Sequence, residues 1–449
     1  MNKRYSILSI AAVAVIAATL FGSTYTQSQM TGNSLSVSTT DADLMTQIHD
    51  MGGLQLVMPQ AFAELDCANL ESGRNVVEFN VVGQSAELPI MGGKTYKAMT
   101  FSGQVPGPTL RVTQGDIVKM TLTVEADEPT PHGNDMHASQ MSAGNFGAVQ
   151  PGTSKTYCYI AQVPGTFKYH CSGVNVAAMD QHVLSGMYGM TIVDPLDGYN
   201  KLLVGKTAVE GGKVVKDRTM FSPDALEFTL QYNQLYLTED GNYDMGAMMI
   251  HHQTQTVVNG MALGYVPNES HNELITKDKN KNIFFLQPWN SADLKQYQSQ
   301  LLFVEPGQHV RLFVENQGNE PVYFHIVGEI IDRVTQGNRV QAQGTETWLI
   351  GGSQGAIMDV VFDEPGVYVA VNHDYAAIFS GAASIFVVGD PFGLNEQLGT
   401  SASSYAELLG NPSDAVPPAG MNSMSHPKLN LHGLYTDARA DEIKAQLGI

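Results

Sequence analysis

Three strand-like segments recur in the same order in the two halves of this 449-residue chain. "GDIVKMTLTVE" (115–125) resembles "GQHVRLFVEN" (307–316), and "PGTFKYHC" (164–171) resembles "PGVYVAVNH" (365–373). The third pair is "LSGMYGMTIVDP" (184–195) with "FSGAASIFVVGDP" (379–391). Three ordered matches at an offset of about 200 residues mark an internal duplication. Runs such as "NVVEFNVVG", "DIVKMTLTVEA", "TYCYIAQV" and "GMTIVD", bounded by Gly and Pro turns, read as strands of a sandwich. The expected fold is therefore all-β: two tandem Greek-key sandwiches over residues 76–197 and 226–392, joined by a linker, 198–225.

The remaining segments carry no strand pattern. Lys3 and Arg4 precede an apolar run, Ile7–Leu20, followed by polar sequence. That run is short of the ~20 residues of a membrane span, so residues 1–24 read as an export signal or a retained anchor. Export outside the cytoplasmic membrane, to a periplasm or beyond, is the expectation. Residues 25–75 form an N-terminal extension with two short helical patterns, 268–300 read as an insertion, and 393–449 as an irregular tail ending in a helical pattern. The net charge of −20 argues against nucleic acid and anionic membrane surfaces as partners.

The duplication is broken where chemistry concentrates. "KYHCSGVNVAAMDQHVLSGM" (168–187) holds Cys171, His182 and Met187, whereas the second copy has no cysteine and places Ala382 where the first has Met187. A thiolate, imidazoles and a weak thioether are the donors of a blue-copper, or type 1, electron-transfer site. The second donor-rich stretch is "PHGNDMH", with His132, Asp135 and His137. On extended chain, neighbours face opposite ways. Parity then sorts the donors into two groups: His132 with Cys171, joined by His182 and Met187, and Asp135 with His137 and His170. The second group lacks one imidazole, which His373 from the other sandwich would supply. Adjacent Cα atoms lie about 3.8 Å apart, so His170 beside Cys171 would wire an electron-entry site to a reaction site.

The chain has three cysteines. With Cys171 taken by the metal, Cys67 and Cys158 are left as either a disulfide or two buried thiols. "DMGAMMIHH" (244–252) reads as core-filling methionine rather than a further copper site. His49, His271 and His309 have no partner pattern and read as structural or exposed, and His426 and His432 belong to the tail.

Over residues 90–392 these motifs resemble the copper-containing nitrite reductases of the two-domain cupredoxin class. The family's H-x-x-D-x-H matches His132–Asp135–His137, and its His-Cys…His…Met loop matches residues 170, 171, 182 and 187. "ETWLIGGSQGAIMDVVFDEPGVYVAVNHDY" (346–375) ends in His373, and "FHIVG" contains His325. The resemblance implies one type 1 copper on His132, Cys171, His182 and Met187, and one type 2 copper on His137, His170 and His373. It implies that His373 comes from an adjacent protomer of a homotrimer, and that Asp135 and His325 handle protons and substrate. Nitrite would be reduced by one electron to nitric oxide and water, with a small cupredoxin or c-type cytochrome as donor. The Cys171–His182 loop is longer than the family's and lacks its Pro-rich, Trp-containing character. Val327 stands where many members carry a larger aliphatic residue. Rival readings are a two-domain multicopper oxidase and a non-catalytic blue-copper carrier. The oxidase is opposed by the absence of any H-x-H among 13 histidines and by Ser172 after Cys171.

Overall fold

The computed structural model describes residues 75–90, 94–141, 143–172, 176–262 and 301–391, with Cys67, Leu70, Gly399 and Ser401. The expected export segment, the helical patterns before residue 67, the 268–300 insertion and the C-terminal helical pattern lie outside them.

The first sandwich contains β1 (Val76–Ile90), β2 (Lys94–Phe101), β3 (Leu110–Thr113), β4 (Ile117–Val124), β5 (Asp135–Met136), β6 (Ser154–Ile160), β7 (Gly165–His170) and β8 (Tyr188–Asp194). They form two four-stranded sheets, β2-β1-β4-β6 and β3-β8-β7-β5. The first half of β1 alternates exposed and buried residues, the period of a strand with one wet face. Phe79, Val81, Val118, Met120, Leu122, Tyr157 and Tyr169 are among those that fill the space between the sheets.

Next come β9 (Leu202–Glu210) and β10 (Lys213–Phe221), and then the second sandwich. Its strands are β11 (Leu226–Leu235), β12 (Gln255–Val258), β13 (Leu301–Val304), β14 (His309–Asn316), β15 (Val322–Val327), β16 (Ile331–Gln336), β17 (Arg339–Thr345), β18 (Thr347–Ile350), β19 (Gly355–Val361), β20 (Gly366–Asn372) and β21 (Ala383–Val388). The sheets are β12-β11-β14-β19-β16-β17 and β13-β21-β20-β15-β18. The duplicated segments fall strand on strand. β4 runs parallel to β1 and antiparallel to β6, as β14 does to β11 and β19, and β7–β8 pair as β20–β21 do.

The segment expected to be a plain linker is instead a hairpin. β9 and β10 pair from Leu202↔Phe221 to Glu210↔Lys213 around Gly211-Gly212. Both glycines have positive φ, 54° and 77°, as a two-residue primed turn requires.

Every residue of β14 is buried, so both of its faces are covered. One faces its own core. On the other, Phe313 joins Ile357 of β19 and Met190 and Ile192 of β8 in an apolar seam between the sandwiches. Arg111 in β3 closes the seam with ion pairs to Asp194 at 2.8 Å and to Glu227 of the second sandwich at 2.6 Å. Cys67 and Cys158 are joined as a disulfide that ties the residues before β1 to β6.

Candidate metal centres

Two donor clusters sit at one end of β7, on opposite sides of the chain. In the first, Cys171 follows the last residue of β7, His132 lies in a bridge to Val149, and His182 occupies the last turn of the helix Val176–Leu184. Cys171 Sγ is 3.7 Å from His132 Nδ1 and 3.4 Å from His182 Nδ1, and the two Nδ1 atoms are 3.1 Å apart. Ligands bonded to one first-row ion at about 2.0–2.3 Å stand at comparable spacings from each other.

All three side chains are buried, and Met187 is buried in the same core cluster as Cys171. Backbone bonds fix the loop: Cys171 N–H donates to Met187 O and Met187 N–H to His182 O, both at 3.0 Å. Gly133 lets the His132 segment pass close by, since a Cβ there would overlap Ser172 Oγ. Burial, then the neighbouring His132, pushes His182 down to about 4, and burial also lowers His132. Both imidazoles are therefore neutral at ordinary pH, the form that binds metal.

In the second cluster, Asp135 of β5 pairs directly with His170 of β7, and the His137 N–H donates to Lys168 O at 3.0 Å. Directly opposed residues share a sheet face, so all three side chains project together. His137 Nε2 and His170 Nε2 are 3.1 Å apart, and Asp135 Oδ2 is 3.8 Å from His170 Nε2. His170 Nδ1 lies 2.9 Å from Cys171 O, so it carries the hydrogen and leaves the Nε2 lone pair for a metal. Burial and then Lys168 push His170 down to about 3, while burial raises Asp135. Unlike the first cluster, this one is open: His137 is exposed and Asp135 half-buried.

His373 is not among the donors gathered with Asp135, His137 and His170. It is exposed on the second sandwich, its ring 5.3 Å from that of His325 and 5.4 Å from that of Tyr375. His325 Nδ1 bonds Glu346 O at 2.6 Å. Tyr323, Val327, Leu349 and Tyr375 are exposed around this pair, an unusual apolar concentration for a free surface.

Two residues near the clusters carried no sequence signal. Lys168, on the His170 face of β7, is buried, and its Nζ donates to Gln317 O of the second sandwich at 2.6 Å. Burial pushes it down to about 8. Glu128 is the other, buried behind His132. The methionine-rich stretch corrects the sequence reading: it forms the short helix Met245–Met249 with no buried residue, and Met245 and Met249 are exposed. His251 beside it pairs with Glu320, while His309 is buried against Asp359 at 2.8 Å, a structural pair.

A multicopper oxidase family model matches residues 84–198. A copper-containing nitrite reductase of Alcaligenes xylosoxydans is 30% identical over 300 residues, 65% of this chain and 80% of that protein. The chain belongs to the copper-containing nitrite reductases. The copper-containing nitrite reductase of Neisseria meningitidis is 26% identical over 295 residues, and the match covers 65% of this chain and 64% of that protein. Among solved structures, a copper nitrite reductase from Nitrosomonas europaea aligns with a TM-score of 0.54 at 28% identity, covering 70% of this chain and 94% of that one. The two-sandwich cupredoxin architecture is thus shared with the nitrite reductases.

Proposed function

We propose that this chain is a nitrite reductase, converting nitrite, one electron and two protons to nitric oxide and water. His132, Cys171, His182 and Met187 hold type 1 copper, and His137 and His170 hold type 2 copper with His373 of a neighbouring copy. Bound copper supplies a one-electron couple at the first set and Lewis acidity toward nitrite oxygen at the second. One observation carries this reading: Cys171 and His170 are consecutive, yet their side chains belong to different donor clusters. The bonded path from Sγ to the His170 ring is shortened further by the contact from Cys171 O to His170 Nδ1 at 2.9 Å. A simple carrier has no use for such a link.

Asp135, at the open edge of the second cluster, holds a proton and orients nitrite. His325, tethered through Nδ1, presents its other nitrogen for the second proton. Because the His325 ring lies beside that of His373, both reach the site from the same neighbouring copy. The exposed apolar face around them supports a closed homotrimer, in which each copy completes the next. Electrons enter near His182 from a small cupredoxin or c-type cytochrome, and the N-terminal segment directs the chain to the periplasm. The deciding experiment is His373→Ala. It should keep a full type 1 signal, lose type 2 copper and abolish nitrite turnover. Undiminished turnover would show that His373 is no ligand.

A further inference from the structure

The His132 imidazole is held from both ends. Nδ1 faces Cys171 Sγ and His182 Nδ1, which assigns the ring hydrogen to Nε2. Nε2 is enclosed, and no acceptor closes a regular hydrogen bond to it. What lies there is a carboxylate: Glu128 Oε1, 3.3 Å away, on a side chain only 3% exposed. The Glu128 carboxylate receives the Ser85 N–H at 2.6 Å on Oε2 and the Ser85 hydroxyl at 2.9 Å on Oε1. Its three polar neighbours are therefore all donors, a pocket made for an acceptor-only group. Gly83 backs the same ring, since a Cβ there would stand 3.1 Å from His132 Cδ2.

We infer that Glu128, seated by Ser85, is a positioning residue that tunes the electron-entry centre through His132. This rests on the type 1 assignment above. A carboxylate on the far nitrogen fixes the ring's tautomer and tilt and makes the near nitrogen a stronger donor. A negative charge buried this close to the donor set also favours the more positive, cupric state. Both effects act in one direction and lower the reduction potential. Sequence distance hides the device, because Ser85 in β1 and Glu128 are 43 residues apart.

The test compares copper-loaded full-length parent, Glu128→Gln and Ser85→Ala by spectroelectrochemical titration of the type 1 absorption, with paramagnetic resonance. Glu128→Gln keeps the shape and removes the charge, so its midpoint should rise by about tenfold in the cupric–cuprous equilibrium, 59 mV for one electron. Its copper hyperfine splitting should change too. Ser85→Ala keeps the charge but removes a donor that shares it, so its midpoint should fall. A type 1 signal in every protein with one common midpoint overturns the inference and leaves the copper reading standing. No type 1 signal in the parent overturns both. Should Glu128→Gln not fold, Ser85→Ala carries the test alone: a lower midpoint supports tuning, and an unchanged or higher one overturns it.

Discussion

His170 and His182 have side chains whose charged forms the folded chain resists, with pKa values pushed down to about 3 and about 4. Unfolded, each would titrate near ~6.5. Below that pH the unfolded chain gains protons that the folded chain refuses. Stability of the copper-free protein should then fall as pH drops through 6.5 toward 3, by up to about 1.4 kcal/mol per pH unit for each group. Urea unfolding from pH 7.5 to 4 checks this, and His170→Gln should give a shallower slope than the parent. Asp135 makes a second prediction. Asp135→Asn should keep both coppers and slow nitrite turnover by about 100-fold or more, since a positioned proton donor is worth that much. A parental rate with the parental pH profile would remove Asp135 from the chemistry. The sorting of five donors into two groups was legible in the sequence because strand side chains alternate, and Asp135, His137 and His170 do gather apart from Cys171. Glu128 was illegible because its partner in β1 is brought near only by the fold.

At the level of elements, strands were easier to read than the pieces between them. The duplicated segments coincide with β4 and β14, β7 and β20, and β8 and β21, since alternation and Gly/Pro turns are local signals. The helix Val176–Leu184 was missed. Its mean hydrophobic character has no clear stripe, and much of its order comes from elsewhere. Tyr243 Oη donates to Asp180 at 2.5 Å, and Asn233 Nδ2 donates to Leu184 O at 3.1 Å. That dependence is testable. Tyr243→Phe should lower stability by about 1.5–3 kcal/mol, as loss of a hydrogen bond to a charged group does, without removing type 1 copper. An unchanged unfolding midpoint would mean that the helix holds itself. The Met245–Met249 helix was misread for a related reason. Asp244 caps it by accepting the Ala247 N–H at 3.0 Å, so five residues form a turn without burying any of their side chains.

For the whole molecule, one chain carries a closed donor set and an open one, and His373, the proposed third ligand of the open set, is not gathered with it. His325 and His373 stand on the β13-β21-β20-β15-β18 side of the second sandwich among exposed Tyr323, Val327, Leu349 and Tyr375. No sequence pattern shows which copy a ligand serves, because exposure depends on assembly. Leu349→Glu places a charge on that face and should turn the proposed trimer into monomers that keep type 1 copper and lose type 2 copper. Light scattering and a copper count read both at once. A trimer of normal copper content would place the interface elsewhere. The most direct test of the central claim is the paramagnetic resonance spectrum of copper-loaded protein, with and without nitrite. Type 1 and type 2 signals in equal amounts, with only the type 2 signal moved by nitrite, are predicted. A type 1 signal alone, indifferent to nitrite, would contradict the account and leave an electron carrier.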